Sequence, residues 1–204
     1  REFREALTSV LADLGPAAVA ELTQLPQTKE ISLALIWALG KTGDAAALPE
    51  LRRLAGSDDP DSRAAVAGAL AKIRDPEAER LGLDLLADRS ERVRAAAVNA
   101  LGVVGTVAAI PALQEAFNDP DAFVRRRIAL AIGRIGGEAA FAALSAARQS
   151  RAFDEEFAPY HIIGCSLCGG ETGFRQAIAA FADARLMERV AKIVDSESPE
   201  VRRV

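Results

Sequence analysis

The only side chains of metal-ligand or redox type that cluster in this sequence are His161, Cys165 and Cys168, in the run H-I-I-G-C-S-L-C. A C-x-x-C pair beside a histidine has the donors to ligate zinc or to cycle as a dithiol. The chain holds no other His or Cys, so a closed tetrahedral site needs a carboxylate such as Glu171, or a partner's residue, as its fourth ligand. No strand–helix–strand context of the thioredoxin kind surrounds the pair. The alternative is that Cys165 and Cys168 are small apolar residues filling a helix end and its turn, as free cysteines commonly do. On this balance no metal and no cofactor is assigned, and the three residues stand as candidate ligands only.

A second set of residues repeats rather than clusters. Arg63, Arg94 and Arg125 are 31 residues apart, each just after a helix start, and Asp88 and Asp119 precede the latter two by six residues. Such an array is either a basic ladder for an anionic ligand or a structural ladder, in which each guanidinium makes a charge-assisted hydrogen bond to a loop acid of its own or the adjacent unit. Other catalytic arrangements are missing from the sequence. A single His leaves one candidate base of that type, and G-G-E-T-G at 169–173 lacks the lysine and the preceding strand of a phosphate-binding loop. The acidic pairs Asp58-Asp59 and Glu155-Glu156 fall in loops or at helix starts, where negative charge complements the helix dipole and needs no catalytic role. No enzymatic activity is assigned.

The elements that must position these residues are helices in a fixed repeat. A-L-G-K-T-G from Ala38, A-L-A-K-I-R from Ala69, A-L-G-V-V-G from Ala100 and A-I-G-R-I-G from Ala131 each begin 31 residues after the last. A fixed period of this size marks a solenoid, whose units bury apolar surface against their neighbours. Within one unit, Val93, Ala97, Ala100, Leu101 and Val104 form one apolar stripe at helical spacing, and Ile110, Leu113, Ala116 and Phe117 a second. The first helix is predicted to stop at Gly105, like its counterparts at Gly43 and Gly136, with the glycine in the left-handed cap conformation. The second ends before Asn118-Asp119-Pro120.

The segment D-P-D-A-F-V-R-R-R-I-A-L-A-I-G-R-I-G at 119–136 resembles the HEAT-like repeat of the phycobilisome-lyase type, and the units at 58–88 and 89–118 are similar to it. The resemblance implies an all-α fold, a right-handed α–α superhelix of about six HEAT-like hairpins related to armadillo repeats. It also favours the structural reading of the arginine ladder. It implies little about function, because one fold hosts many activities. Di-iron hydroxylases of this architecture need repeated His-Glu pairs, and none is present; a bilin lyase-like chaperone activity stays open on the likeness of the repeats.

The map that follows is a single repeat domain over 1–204, with hairpins near 2–25, 27–57, 58–88, 89–118, 119–150 and 151–183, then a helix near 184–195 and a helix start at 199. Residues 151–204 form irregular C-terminal repeats, and an alternative pairing joins 172–182 to 184–195, leaving 154–168 as an extra helix. The chain opens at Arg1 without a Met and closes on S-P-E-V-R-R-V, which reads as the opening of another helix, so it is expected to be part of a longer protein.

Two surface columns could hold a partner. With Ile110, Leu113 and Phe117 facing inward, Gln114 and Glu115 face away, and their counterparts at 31-residue steps are Leu83 and Asp84, then Arg52 and Arg53. The change of sign along this column suits a protein face better than a phosphate groove. On the first helices, Trp37, Gly68, Asn99, Leu130 and His161 share one position, well off the apolar stripe, so Trp37 and Leu130 are expected to be exposed. An exposed Trp is an interface anchor, unless it packs under a neighbouring helix or loop.

Composition sets the outer bounds. Half of the 204 residues are hydrophobic, enough for a substantial core. A net charge of -4 and a pI near 5.2 argue against a nucleic-acid partner. No apolar run reaches the roughly 18 residues of a membrane span, and two cysteines are too few for a disulfide framework, which points to the cytoplasm. The function expected is a non-catalytic scaffold that binds another protein. The alternatives are an enzyme-associated chaperone subunit and a metal or redox module at His161, Cys165 and Cys168.

Overall fold

The structure, a computed structural model, describes residues 28–147, 157–179 and 184–196. The hairpin expected at 2–25, the pair Glu155-Glu156 and the helix start at 199 lie outside the described residues. All regular structure among the described residues is helical: α1 (Lys29–Thr42), α2 (Leu48–Ala55), α3 (Pro60–Leu70), α4 (Pro76–Asp84), α5 (Glu91–Val104), α6 (Ile110–Glu115), α7 (Ala122–Ile135), α8 (Gly137–Ala147), α9 (Ala158–Ala179) and α10 (Ala184–Ser196). Four single 3-10 turns, at 45–47, 85–87, 107–109 and 116–118, extend the second helices of the hairpins.

The helix starts are written in Thr, Asp and Pro. Thr28, Asp59, Asp75 and Asp121 are N-caps whose side-chain oxygens accept from backbone N–H groups of Ile31, Ser62, Glu77 and Phe123, and Pro60 and Pro76 open the first turn. The stops differ from the expected pattern. Gly43 is left-handed (φ 66°, ψ 10°), as predicted. Gly136 has a positive φ of 74° but an extended ψ of -176°. Gly105 does not enter the positive-φ region at all. It ends α5 differently, with its N–H on the Leu101 carbonyl at 2.8 Å and no room for a side chain, since a Cβ would lie 2.3 Å from that same oxygen.

The chain divides into two compact units, 1–100 and 101–204. In the first, α1 with α2 and α3 with α4 form successive hairpins, and their inward faces share one core that includes Leu35, Leu51, Leu70, Ile73 and Val93, all fully buried. Each such side chain contributes about 1.5–3 kcal/mol relative to exposure. In the second, α7 packs against α8 and α9, with Leu113, Ile128, Ile132, Leu144 and Ile162 buried. The two backbones of α7 and α9 come into direct contact: a Cβ on Gly133 would lie 2.7 Å from the Gly164 carbonyl oxygen, and one on Gly164 2.6 Å from that of Ala129. Helix α9 is two helical stretches joined at Gly170, whose φ of 56° and ψ of -143° break the helical path. The architecture within each unit is the stacked helix hairpin of the α–α superhelix class.

Candidate partner-binding surface

His161, Cys165 and Cys168 lie on the first stretch of α9. His161 is 3% exposed, and its Nε2–H donates to the Leu144 carbonyl oxygen at 2.8 Å. That oxygen belongs to the last turn of α8, where backbone acceptors have no partner inside the helix, so the imidazole closes a helix end. The Cys165 sulfur is 4.0 Å from Nδ1 of the same ring, and Phe157 packs against the ring at 6.2 Å between centroids. The Cys168 thiol donates to the Cys165 carbonyl at 3.5 Å. Burial pushes the Cys165 thiol up to about 12 and the Cys168 thiol up as well, so in the absence of a bound cation both favour the thiol form. Among the described residues no three His, Cys, Asp or Glu side chains come together as a ligand group; the side chain of Glu171 lies outside them. The arrangement performs helix capping and core filling.

The arginines bond their own loops, and Arg63 also bonds the loop of the next repeat. Arg63 donates from Nε and Nη2 to both oxygens of Asp88 at 2.7 and 2.9 Å, and from Nη1 to the carbonyls of Ser57 and Asp58 at 2.8 and 3.0 Å. The Arg63 and Asp88 side chains are only 6% and 10% exposed, and the bonded guanidinium holds the Asp88 carboxyl below the usual carboxylate range. The rung repeats: Arg94 Nη1 reaches the Asp88 carbonyl at 2.9 Å, and Arg125 Nη1 the Asp119 carbonyl at 2.8 Å, six residues back each time. The guanidinium groups are turned toward loop backbone, not toward a ligand.

On the second helices Arg52, Arg53 and Asp84 of the sequence-predicted column are exposed and paired within the chain. Arg52 pairs with Glu77 and, at 3.8 Å, with Asp84; Arg53 pairs with Glu50. The change of sign from Arg52 to Asp84 is therefore a contact between consecutive hairpins. Leu83 and Gln114 are half-buried and Glu115 is exposed.

The first-helix column divides. Trp37 is 48% exposed, and Leu130 is completely buried, which corrects the expectation that both are exposed: the close approach of α9 to α7 at Gly133 and Gly164 covers the face of α7 on which Leu130 lies. His161 is buried at the last turn of α8, with its ring on the Leu144 carbonyl. Trp37, by contrast, opens onto a groove of about 510 Å³ lined by Leu33, Ile36 and Trp37 from α1 and Ala64, Ala65 and Gly68 from α3. Gly68 is exposed, and a Cβ there would meet nothing within 4 Å, so the missing side chain leaves open space beside the indole. The charged lining is Asp61, Lys72 and Arg92. Asp61 lies between Lys29, at 2.6 Å, and Arg92; the Lys29 bond above all holds its carboxyl below the usual range. The Lys72 ammonium stands 5.9 Å from the centre of the Trp37 ring, within reach of a cation–π interaction. The repeat column read from the sequence holds Trp37 and Gly68 but not this charged lining, although Asp61 and Arg92 keep the 31-residue step, as do Lys41 and Lys72.

A family model for HEAT repeats matches residues 16–81 and 80–155. A search of curated proteins finds no match. Among solved structures, human deoxyhypusine hydroxylase in complex with glycerol is similar over 96% of this chain and 85% of its own, at 20% identity and a TM-score of 0.45. No helix among the described residues is long and apolar enough to cross a membrane. With the family model covering more than half of its length, the chain belongs to the HEAT-repeat family.

Proposed function

We propose that this HEAT-repeat chain is a non-catalytic scaffold that binds another protein, and that the partner docks in the groove beside Trp37. The observation that carries this reading is the half-exposed indole on a groove of about 510 Å³. That volume falls in the roughly 300–1,000 Å³ range of sites that seat a small ligand or a few side chains, and exposed aromatic anchors dominate binding energy at protein interfaces. Among the described residues the groove lacks the features of an active site: the one carboxylate that lines it is engaged by two cations, and no nucleophile or histidine lines it. The scarcity of cysteine supports a reducing compartment such as the cytoplasm.

The test is affinity capture from native cell extract with the wild-type chain and with Trp37→Ala, read by mass spectrometry. A protein retained by the wild type and lost by the variant supports the reading. Equal retention by both moves the site off this groove. Bound pigment or stoichiometric metal in place of a protein favours the chaperone or metal readings instead.

A further inference from the structure

Resting on the groove beside Trp37 as the docking site, we infer that its occupant is a short acidic segment of the partner, which inserts a large apolar side chain over Gly68 and places a carboxylate on Lys72. The apolar part follows from the lining. Ile36, Trp37 and Ala65 surround open space that no residue among the described ones fills, and filling it removes indole and methyl surface from water. The acidic part follows from charge. The groove is lined by two cations and one carboxylate, while the whole chain carries a net charge of -4. Asp61 is bonded to Arg92 and to Lys29, which also holds Asp59, so these four charges cancel within the chain and Lys72 carries the positive excess of the groove. Lys72 has no carboxylate partner among the described residues and is directed over the indole face. Lys41, its counterpart one repeat earlier, is exposed and likewise without a carboxylate partner among the described residues. An anionic group arriving next to an apolar one completes both surfaces. A polyanion such as a nucleic acid meets only this local excess of positive charge on an otherwise acidic chain and is disfavoured.

The experiment selects 12-residue peptides from a random phage-displayed library on the whole chain, with counter-selection on Gly68→Leu. Residue 68 points into open space, and glycine is a poor helix former, so Gly68→Leu fills the groove without disturbing the fold; its circular dichroism and melting temperature serve as the control. The expected result is a consensus, enriched on the wild type and lost on Gly68→Leu, that contains a large apolar residue close to one or two Asp or Glu residues. The synthetic consensus peptide should bind Lys72→Glu roughly tenfold more weakly and should weaken with added salt. A basic or uncharged consensus that is still lost on Gly68→Leu, or an affinity unchanged in Lys72→Glu, overturns the acidic-segment inference and leaves the groove as the site. Peptides bound equally by the wild type and Gly68→Leu, or no enrichment on either, overturn the groove as well.

Discussion

Replacing Arg63 with Met isolates what a single rung of the ladder contributes. The substitution removes two charge-assisted bonds to Asp88 and two to the carbonyls of Ser57 and Asp58, while the apolar stem is kept. It leaves a carboxylate that is 10% exposed in the native fold without its counter-charge. Breaking one partner of a buried pair destabilises by about 3–5 kcal/mol. Because Asp88 also has its own Ser90 N–H at 2.8 Å and keeps a little contact with solvent, the lower end, about 3 kcal/mol, is the expected loss. Urea unfolding followed by tryptophan fluorescence is the assay, since Trp37 is the only Trp of the chain and lies in the same unit, 1–100, as the rung. With slopes of about 1–3 kcal/mol/M, the midpoint should fall by about 1 M or more. Arg63→Met with Asp88→Asn should recover part of the loss, because no uncompensated charge remains. Arg92→Met is the control: its bridge to Asp61 is largely exposed, and such pairs contribute about 0–1 kcal/mol. A loss below about 0.5 kcal/mol for Arg63→Met, equal to that control, would refute the claim that this rung binds consecutive repeats.

Acid should expose the same rung. The folded Asp88 pKa is lowered, so its contribution is present above the unfolded value of about 3.9 and is lost as the pH falls through the folded one; the stability gap between wild type and Asp88→Asn should narrow below about pH 4, and a constant gap would contradict the assignment. Gly133→Ala should destabilise by about 1–3 kcal/mol through overpacking, because its Cβ meets the Gly164 backbone; an unchanged melting temperature would contradict the close contact of α7 and α9. His161→Phe should cost about 1–3 kcal/mol by leaving the Leu144 carbonyl without its donor, and an unchanged urea midpoint would remove the capping role. With its thiol near 12, Cys165 carries about one thiolate in ten thousand at pH 8, so a thiol-specific disulfide reagent should reach it only on unfolding; rapid native labelling would revive a redox role.

The helix hairpins were legible because each has a local cause in the sequence. A 31-residue period, Asp and Pro at the helix starts and buried stripes such as Val93, Ala97 and Leu101 depend only on neighbours along the chain or one repeat away. A structural bond from an arginine of this set to a loop acid of its own or the adjacent repeat was legible for the same reason, but the particular pairing of Arg63 with Asp88 was not. Leu130 was misread because its exposure is decided by how closely the next repeat approaches. The signal was present: Gly102, Gly133 and Gly164 keep the 31-residue step, and a Cβ on Gly102 would lie 3.0 Å from Ala131 Cα. Small residues at one repeat position mark backbone contact, which covers the positions beside them. Gly105 was misread in the opposite sense, since glycine serves there for closeness to Leu101 rather than for a left-handed turn. The groove's charged lining escaped because Asp61, Lys72 and Arg92 come from different helices or their ends, and only packing brings them together.

The central claim is that a partner covers the indole of Trp37. Quenching of the single tryptophan by acrylamide, measured on the free chain and on the chain saturated with the captured partner, tests it most directly. Strong quenching is expected in the free chain, as for a side chain about half exposed, and clear protection in the complex. Quenching that is equally strong in both, with the partner demonstrably bound, would contradict it and place the interface elsewhere on the repeats.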